Sequence, residues 1–95
     1  MNAYMIVDLD VQDVSALEEY RRRAVPVLQK YGGRVLVRLG TAEVLEGHWP
    51  LHRLMVLEFQ TMDALKRWWN SEDYQPLIPL RQRVSNAQVI AVDGV

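Results

Sequence analysis

The side chains in this sequence that could do chemistry are few enough to weigh one at a time. His48 and His52 are the only two histidines, and imidazole is the one side chain whose ordinary pKa lies near neutrality. Either could therefore act as a general base, and His48 is taken as a catalytic candidate. Their spacing of four would suit a metal pair on a helix, but Trp49-Pro50 between them makes the segment a loop. A solvated loop histidine is the plainer reading of both. Asp8, Asp10, Asp13 and Glu19 imitate the first, third, sixth and twelfth positions of a calcium loop. The sixth must be glycine for the sharp turn and is Asp13, and a strand precedes the segment where a helix is required. No metal site is expected there.

A second set combines charge with apolar surroundings. Glu58 shares strand parity with Leu54 and Val56, and Arg38 shares it with Leu36. If those faces coincide, an acid and a base meet on an otherwise apolar sheet, and buried charges need partners. They form either a structural ion pair or the floor of a pocket in which Arg38 fixes an oxygen and Glu58 handles a proton. The same reading places Glu46, His48 and Trp49 at the pocket rim, with Tyr74 and Arg81 closing it as ligand-binding groups. Trp68 and Trp69 point about 100° apart on a helix, so one belongs to the core and the other to a pocket wall or an interface. No phosphate loop, dinucleotide fingerprint or nucleophile motif is present, and Gly32-Gly33 reads as a helix stop.

These residues must be positioned by short elements. Ala3 to Leu9 is rich in β-formers and reads as a strand. A helix follows, capped by Asp13 or by the Ser15/Glu18 box, with Leu17, Tyr20, Ala24, Leu28 and Tyr31 on one apolar face. Pro26 should bend it, and Gly32-Gly33 ends it. Arg34 to Leu39 forms the second strand, and Glu43 to Glu46 a short edge extension. Arg53 to Phe59 is the third strand. Thr61 caps a helix through Trp69, a further helix begins at Ser71, and Val89 to Val92 is the last strand. The order βαββαβ predicts an α+β, ferredoxin-like antiparallel sheet with helices on one face, in a single domain over residues 1–95.

Composition narrows the function classes. Eleven Lys/Arg against twelve Asp/Glu leave a net charge of −1, with no basic face for nucleic acid. The absence of cysteine removes thiolate chemistry and fits a reducing cytoplasm, and no apolar run approaches the roughly 20 residues that span a bilayer. Strands one and three are apolar on both faces. Helices can cover only one of these, so the other should meet a second copy in a homodimer.

Tyr20, Tyr31-Gly32-Gly33-Arg34, Val44-Leu45-Glu46-Gly47 with Trp49, Glu58-Phe59, and Trp69-Asn70-Ser71 with Tyr74 and Arg81 together resemble an uncharacterised bacterial family, domain of unknown function 1330. The resemblance spans nearly the whole chain and implies the dimeric α/β-barrel superfamily, in which two ferredoxin-like domains pair sheet against sheet. Its members include cofactor-free monooxygenases of polyketide quinones, muconolactone isomerases and haem-binding chlorite dismutases. The haem proteins use a longer chain with an axial histidine on a helix, so haem is not expected here. The resemblance implies a cofactor-independent isomerase or monooxygenase acting on a small, partly apolar organic molecule, or else a non-catalytic ligand-binding or stress-associated dimer. It carries over no catalytic residue.

Overall fold

A computed structural model describes all residues, 1–95. Strand β1 (Ala3–Val11) leads into helix α1 (Val14–Lys30), followed by β2 (Arg34–Thr41), β3 (Arg53–Phe59) and α2 (Met62–Trp69). A 3-10 turn (Gln75–Leu77) runs into α3 (Ile78–Val84), and β4 (Ser85–Asp93) completes an antiparallel sheet in the order β2-β3-β1-β4. This is the ferredoxin-like architecture expected from the element order.

Of the two possible caps for α1, Asp13 is the one used, its Oδ1 accepting from the Ala16 N–H at 3.1 Å. The helix runs on through Pro26 to Lys30 and stops where Gly32 takes a φ of 84°, a conformation open to glycine without steric cost. Three boundaries differ from expectation. Residues 42–52 form no strand, because β3 begins at Arg53 opposite Thr41 and nothing lies beyond to pair with Glu43 to Glu46. β4 starts at Ser85 because Asp10 and Val11 pair with Asn86 and Ser85, so ladder bonds override the polar sequence. The second helical region begins at Ile78, not Ser71. The Ser71 hydroxyl closes a turn instead, donating to Trp68 O at 2.8 Å and accepting from Tyr74 N at 3.0 Å.

Helices cover one sheet face only, giving a slab 16 Å thick and 35 Å across. Ala3, Met5, Val7 and Leu9 of β1 and Leu57 and Phe59 of β3 point into that layer and meet Leu17, Leu28, Leu65 and Trp68. The opposite face carries cross-strand rows that no helix touches: Ile6, Val56, Ile90 and Val37 form one, and Tyr4, Glu58, Val92 and Arg34 another.

One feature of β2 decides where its side chains go. Val35 pairs with Leu57 but Val37 pairs with Val56, so one extra residue is inserted, and a second irregularity lies between Val37 and Gly40. Leu39 adopts a φ of 50° there, a costly conformation for a branched, non-glycine residue. A bulge reverses the facing of everything beyond it, and Arg38 therefore turns toward the helices.

Gly33 packs where no side chain fits. A Cβ there would lie 2.7 Å from Phe59 Cζ and press on Leu28 Cδ1. Gly33→Ala is expected to destabilise the fold by about 1–3 kcal/mol through overpacking, read as a lower urea midpoint at fixed protein concentration, with the slope unchanged.

Candidate functional site

Between the sheet and α1 lies a cavity of about 90 Å³, lined by 19 residues of which 15 are hydrophobic. That is several times the roughly 10–15 Å³ that one water needs, so a small organic molecule can enter. Met5, Val7, Met55 and Leu57 supply its sheet wall, and Leu17, Ala24 and Leu28 its helix wall. A larger open depression of about 600 Å³ shares Leu9, Leu17, Glu18 and Leu39 with the cavity and is edged by Asp10, His52 and Arg53.

The polar groups of the cavity are Tyr20, Tyr74, Glu18, Arg21, Arg38 and Arg81. The Tyr20 and Tyr74 hydroxyls lie 2.9 Å apart in a hydrogen bond that either can donate. Burial holds the Tyr20 phenol far above its usual pKa, with Tyr74 adding to the rise and Arg81 opposing it. Tyr20 is therefore a neutral donor at physiological pH. Tyr74 stacks on Trp68 with ring centroids 4.1 Å apart, and Trp68, 2% exposed, tilts against Phe59 at 5.4 Å. This aromatic stack fixes the hydroxyl position. Arg81, only 7% exposed, forms no salt bridge. Its backbone carbonyl accepts from Ser85 Oγ at 2.7 Å, which anchors the end of α3. Tyrosine hydroxyls beside a buried guanidinium are suited to stabilise negative charge on a substrate oxygen.

The expected pocket of Arg38 and Glu58 does not form. The bulge sends Arg38 to the cavity on the helix side. Glu58 stays on the outer face and accepts from Arg34 Nε at 2.6 Å and Asn2 Nδ2 at 3.1 Å. The bond from Arg34 is the main cause that holds its carboxyl below the usual glutamate range. Arg38, Tyr74 and Arg81 do share one cavity. Glu46, His48 and Trp49 do not line it. They sit exposed on the 42–52 loop, Trp49 at 65%, because that loop leaves the sheet where β2 and β3 end. The engaged histidine is His52, whose backbone N–H donates to Asp8 Oδ1 at 2.7 Å and whose Nδ1 lies 3.2 Å from Asp8 Oδ2. Its Nε2 is 3.8 Å from Asp10. The bond from the His52 backbone lowers the Asp8 pKa against the opposing effect of burial.

Tyr20, Arg21 and Trp68 belong to the site although the sequence pattern placed Tyr20 on the apolar helix face and gave Arg21 no role. The available signal was Tyr20 itself, since a tyrosine at a core position must bring its hydroxyl to a partner. Tyr20→Phe is expected to cost about 1–3 kcal/mol by leaving Tyr74 without that partner. Below pH about 10 both folded and unfolded Tyr20 are protonated, and its contribution to stability is complete. As pH rises further the unfolded chain loses that proton and the folded chain keeps it, so stability falls. Denaturant melts from neutral to alkaline pH should show this slope in the parent and a shallower one in Tyr20→Phe.

The sequence matches the family described as a domain of unknown function, DUF1330, over residues 2–95. No curated protein matches the sequence. Among solved structures, RPA0582 from Rhodopseudomonas palustris, a protein of unknown function, is 16% identical with a TM-score of 0.77, over 99% of this chain and 82% of that one. SnoaB, a cofactor-independent oxygenase from Streptomyces nogalater, is 12% identical with a TM-score of 0.69, over 99% and 93%. A dimeric ferredoxin-like protein of unknown function from Jannaschia sp. CCS1 is 14% identical with a TM-score of 0.64, over 99% and 100%. At these identities the structural likeness speaks to the fold, whereas the family match covers nearly every residue, and the chain belongs to the DUF1330 family, on a ferredoxin-like α+β fold.

Proposed function

We propose that the chain works in the cytoplasm as a homodimer whose protomers each take a small, partly apolar organic molecule into the cavity and, without a resident cofactor, promote its isomerisation or oxygenation. The observation that carries this reading is the Tyr20-Tyr74 hydroxyl pair, joined at 2.9 Å beside Arg81 inside an otherwise apolar cavity. Both reactions begin by gathering negative charge on a substrate oxygen as a neighbouring carbon passes its proton to Glu18, the one carboxylate in the lining, or to solvent water, and oxygenation then takes dioxygen as its oxidant. Hydrogen bonds aimed at that oxygen in a dry site lower the barrier. The fold likeness to a cofactor-independent oxygenase is compatible with such chemistry.

A non-catalytic binding role is the second reading, and one observation favours it. The only carboxylate lining the cavity is Glu18, on an exposed part of α1 and held by Arg21 at 3.3 Å, so no interior base is ready to take the proton. The two readings separate on the carbon acid acetylacetone, whose seven non-hydrogen atoms suit a cavity of about 90 Å³. Catalysis predicts accelerated exchange of its central C–H with deuterated water, followed by NMR, and a loss of about 10²-fold in Tyr74→Phe, the usual effect of removing one oxyanion donor. Binding without accelerated exchange would leave the carrier reading, and no binding would remove both.

The dimer rests on the uncovered sheet face. Ile90 there is 58% exposed, and Leu36, Val37 and Val92 are also exposed, a continuous apolar surface that a monomer seldom leaves in water. The Jannaschia neighbour is described as dimeric, which is compatible with pairing of this chain. Light scattering is expected to give twice the chain mass at micromolar concentration. Val56→Glu, which places a charge in the middle of the apolar row, should shift the protein to monomer and lower its melting temperature together, because folding and assembly are linked.

A further inference from the structure

Resting on the cavity as a ligand site, we infer that the molecule it selects is a small apolar carboxylate, its two oxygens received by the guanidinium groups of Arg81 and Arg38. Three arginines line the cavity against one glutamate, a local excess of two positive charges in a chain whose net charge is −1. The bias is therefore built into this place and is not a property of the whole protein.

Elsewhere the chain pairs its cations readily, Arg22 with Glu19 at 2.7 Å, Lys30 with Asp73 at 2.8 Å and Arg34 with Glu58 at 2.6 Å. Arg81 is buried and has no such carboxylate. An arginine cannot escape burial by giving up its proton, and of its five donors the Tyr20 hydroxyl oxygen answers one, so the charge itself is left without a counter-ion. Glu18 is already committed to Arg21. Two further donors in the lining, Arg21 Nε and Trp68 Nε1, are buried with no acceptor. The unmet groups are thus all donors, and the matching ligand supplies acceptors. A carboxylate fits the planar guanidinium fork with two parallel bonds, while its apolar remainder meets the methionine, leucine and valine walls. By the measure used for a single water, about 90 Å³ holds roughly six to nine water-sized groups, the size of benzoate.

Benzoate and benzamide, alike in shape and different in charge, decide the matter by isothermal titration calorimetry against the whole protein. Benzoate is expected to bind at least about tenfold more tightly than benzamide, the difference that one charge-assisted bond supplies. Arg81→Gln should abolish that preference, weakening benzoate by at least about tenfold more than benzamide. Arg38→Gln changes an exposed residue, so it folds even if Arg81→Gln does not, and it should weaken benzoate selectively. Benzamide binding as tightly as benzoate would overturn the carboxylate inference and leave the cavity as a site for neutral molecules. Benzoate binding undiminished in the arginine variants would overturn it as well, by placing the anion elsewhere. Failure of both probes to bind at millimolar concentration would remove the cavity reading together with the inference.

Discussion

A four-stranded sheet with helices on one side has two faces and only one cover, and most of this molecule follows from how the chain treats that asymmetry. The covered face of β1 presents Ala3, Met5, Val7 and Leu9, all buried, to three helices that meet Phe59, Trp68 and Tyr74. A small domain buries a modest share of its surface, so this layer cannot also be emptied for a large ligand. The result is a cavity of about 90 Å³, held open where α1 would otherwise settle fully on the sheet. The aromatic stack of Trp68 on Tyr74 at 4.1 Å resists that collapse because rigid rings cannot fold into the gap.

The β2 bulge converts an edge strand into part of the site. Were β2 regular, Arg38 would lie on the outer face opposite Leu54, and the cavity would lose one of its cations. The inserted residue places both Arg38 and Leu39 on the helix side, opposite Met55, and the price is a left-handed Leu39 at φ 50°. Bulges commonly re-aim a side chain next to a functional site. A strained residue held beside a cavity agrees with that use.

The fold was legible because its signals are local and repeated. Period-two strands, the Asp13 and Thr61 caps and the Gly32 stop each act within a few residues, and β3 falls on Arg53–Phe59 as its pattern indicates. The site was half legible. Tyr74 and Arg81 could be singled out, because a polar pair amid Leu77 and Ile78 at helical spacing invites an explanation. Strand parity failed at Arg38 because a bulge leaves no mark in the residue types: Leu36 and Val37 are both apolar, and either could be the extra one. Once parity slipped, Arg38 was joined to Glu58, whose true partner, Arg34, lies four residues earlier on the same strand. Loop placement of Glu46, His48 and Trp49 could not be read at all, since no periodicity constrains a segment without ladder bonds.

Arg81 shows most directly how stability and function pull apart here. A methionine or leucine of similar length would pack against Tyr20 and Tyr74 without carrying a charge out of water, and such replacements of buried charge are often neutral or stabilising. The arginine instead sits 7% exposed, beside a tyrosine whose ionised form its charge favours, an effect that burial outweighs. Its energetic penalty falls when an anion arrives and returns when the anion leaves. A group arranged in this way gives ligand binding a free-energy source that the folded apo chain has already set aside.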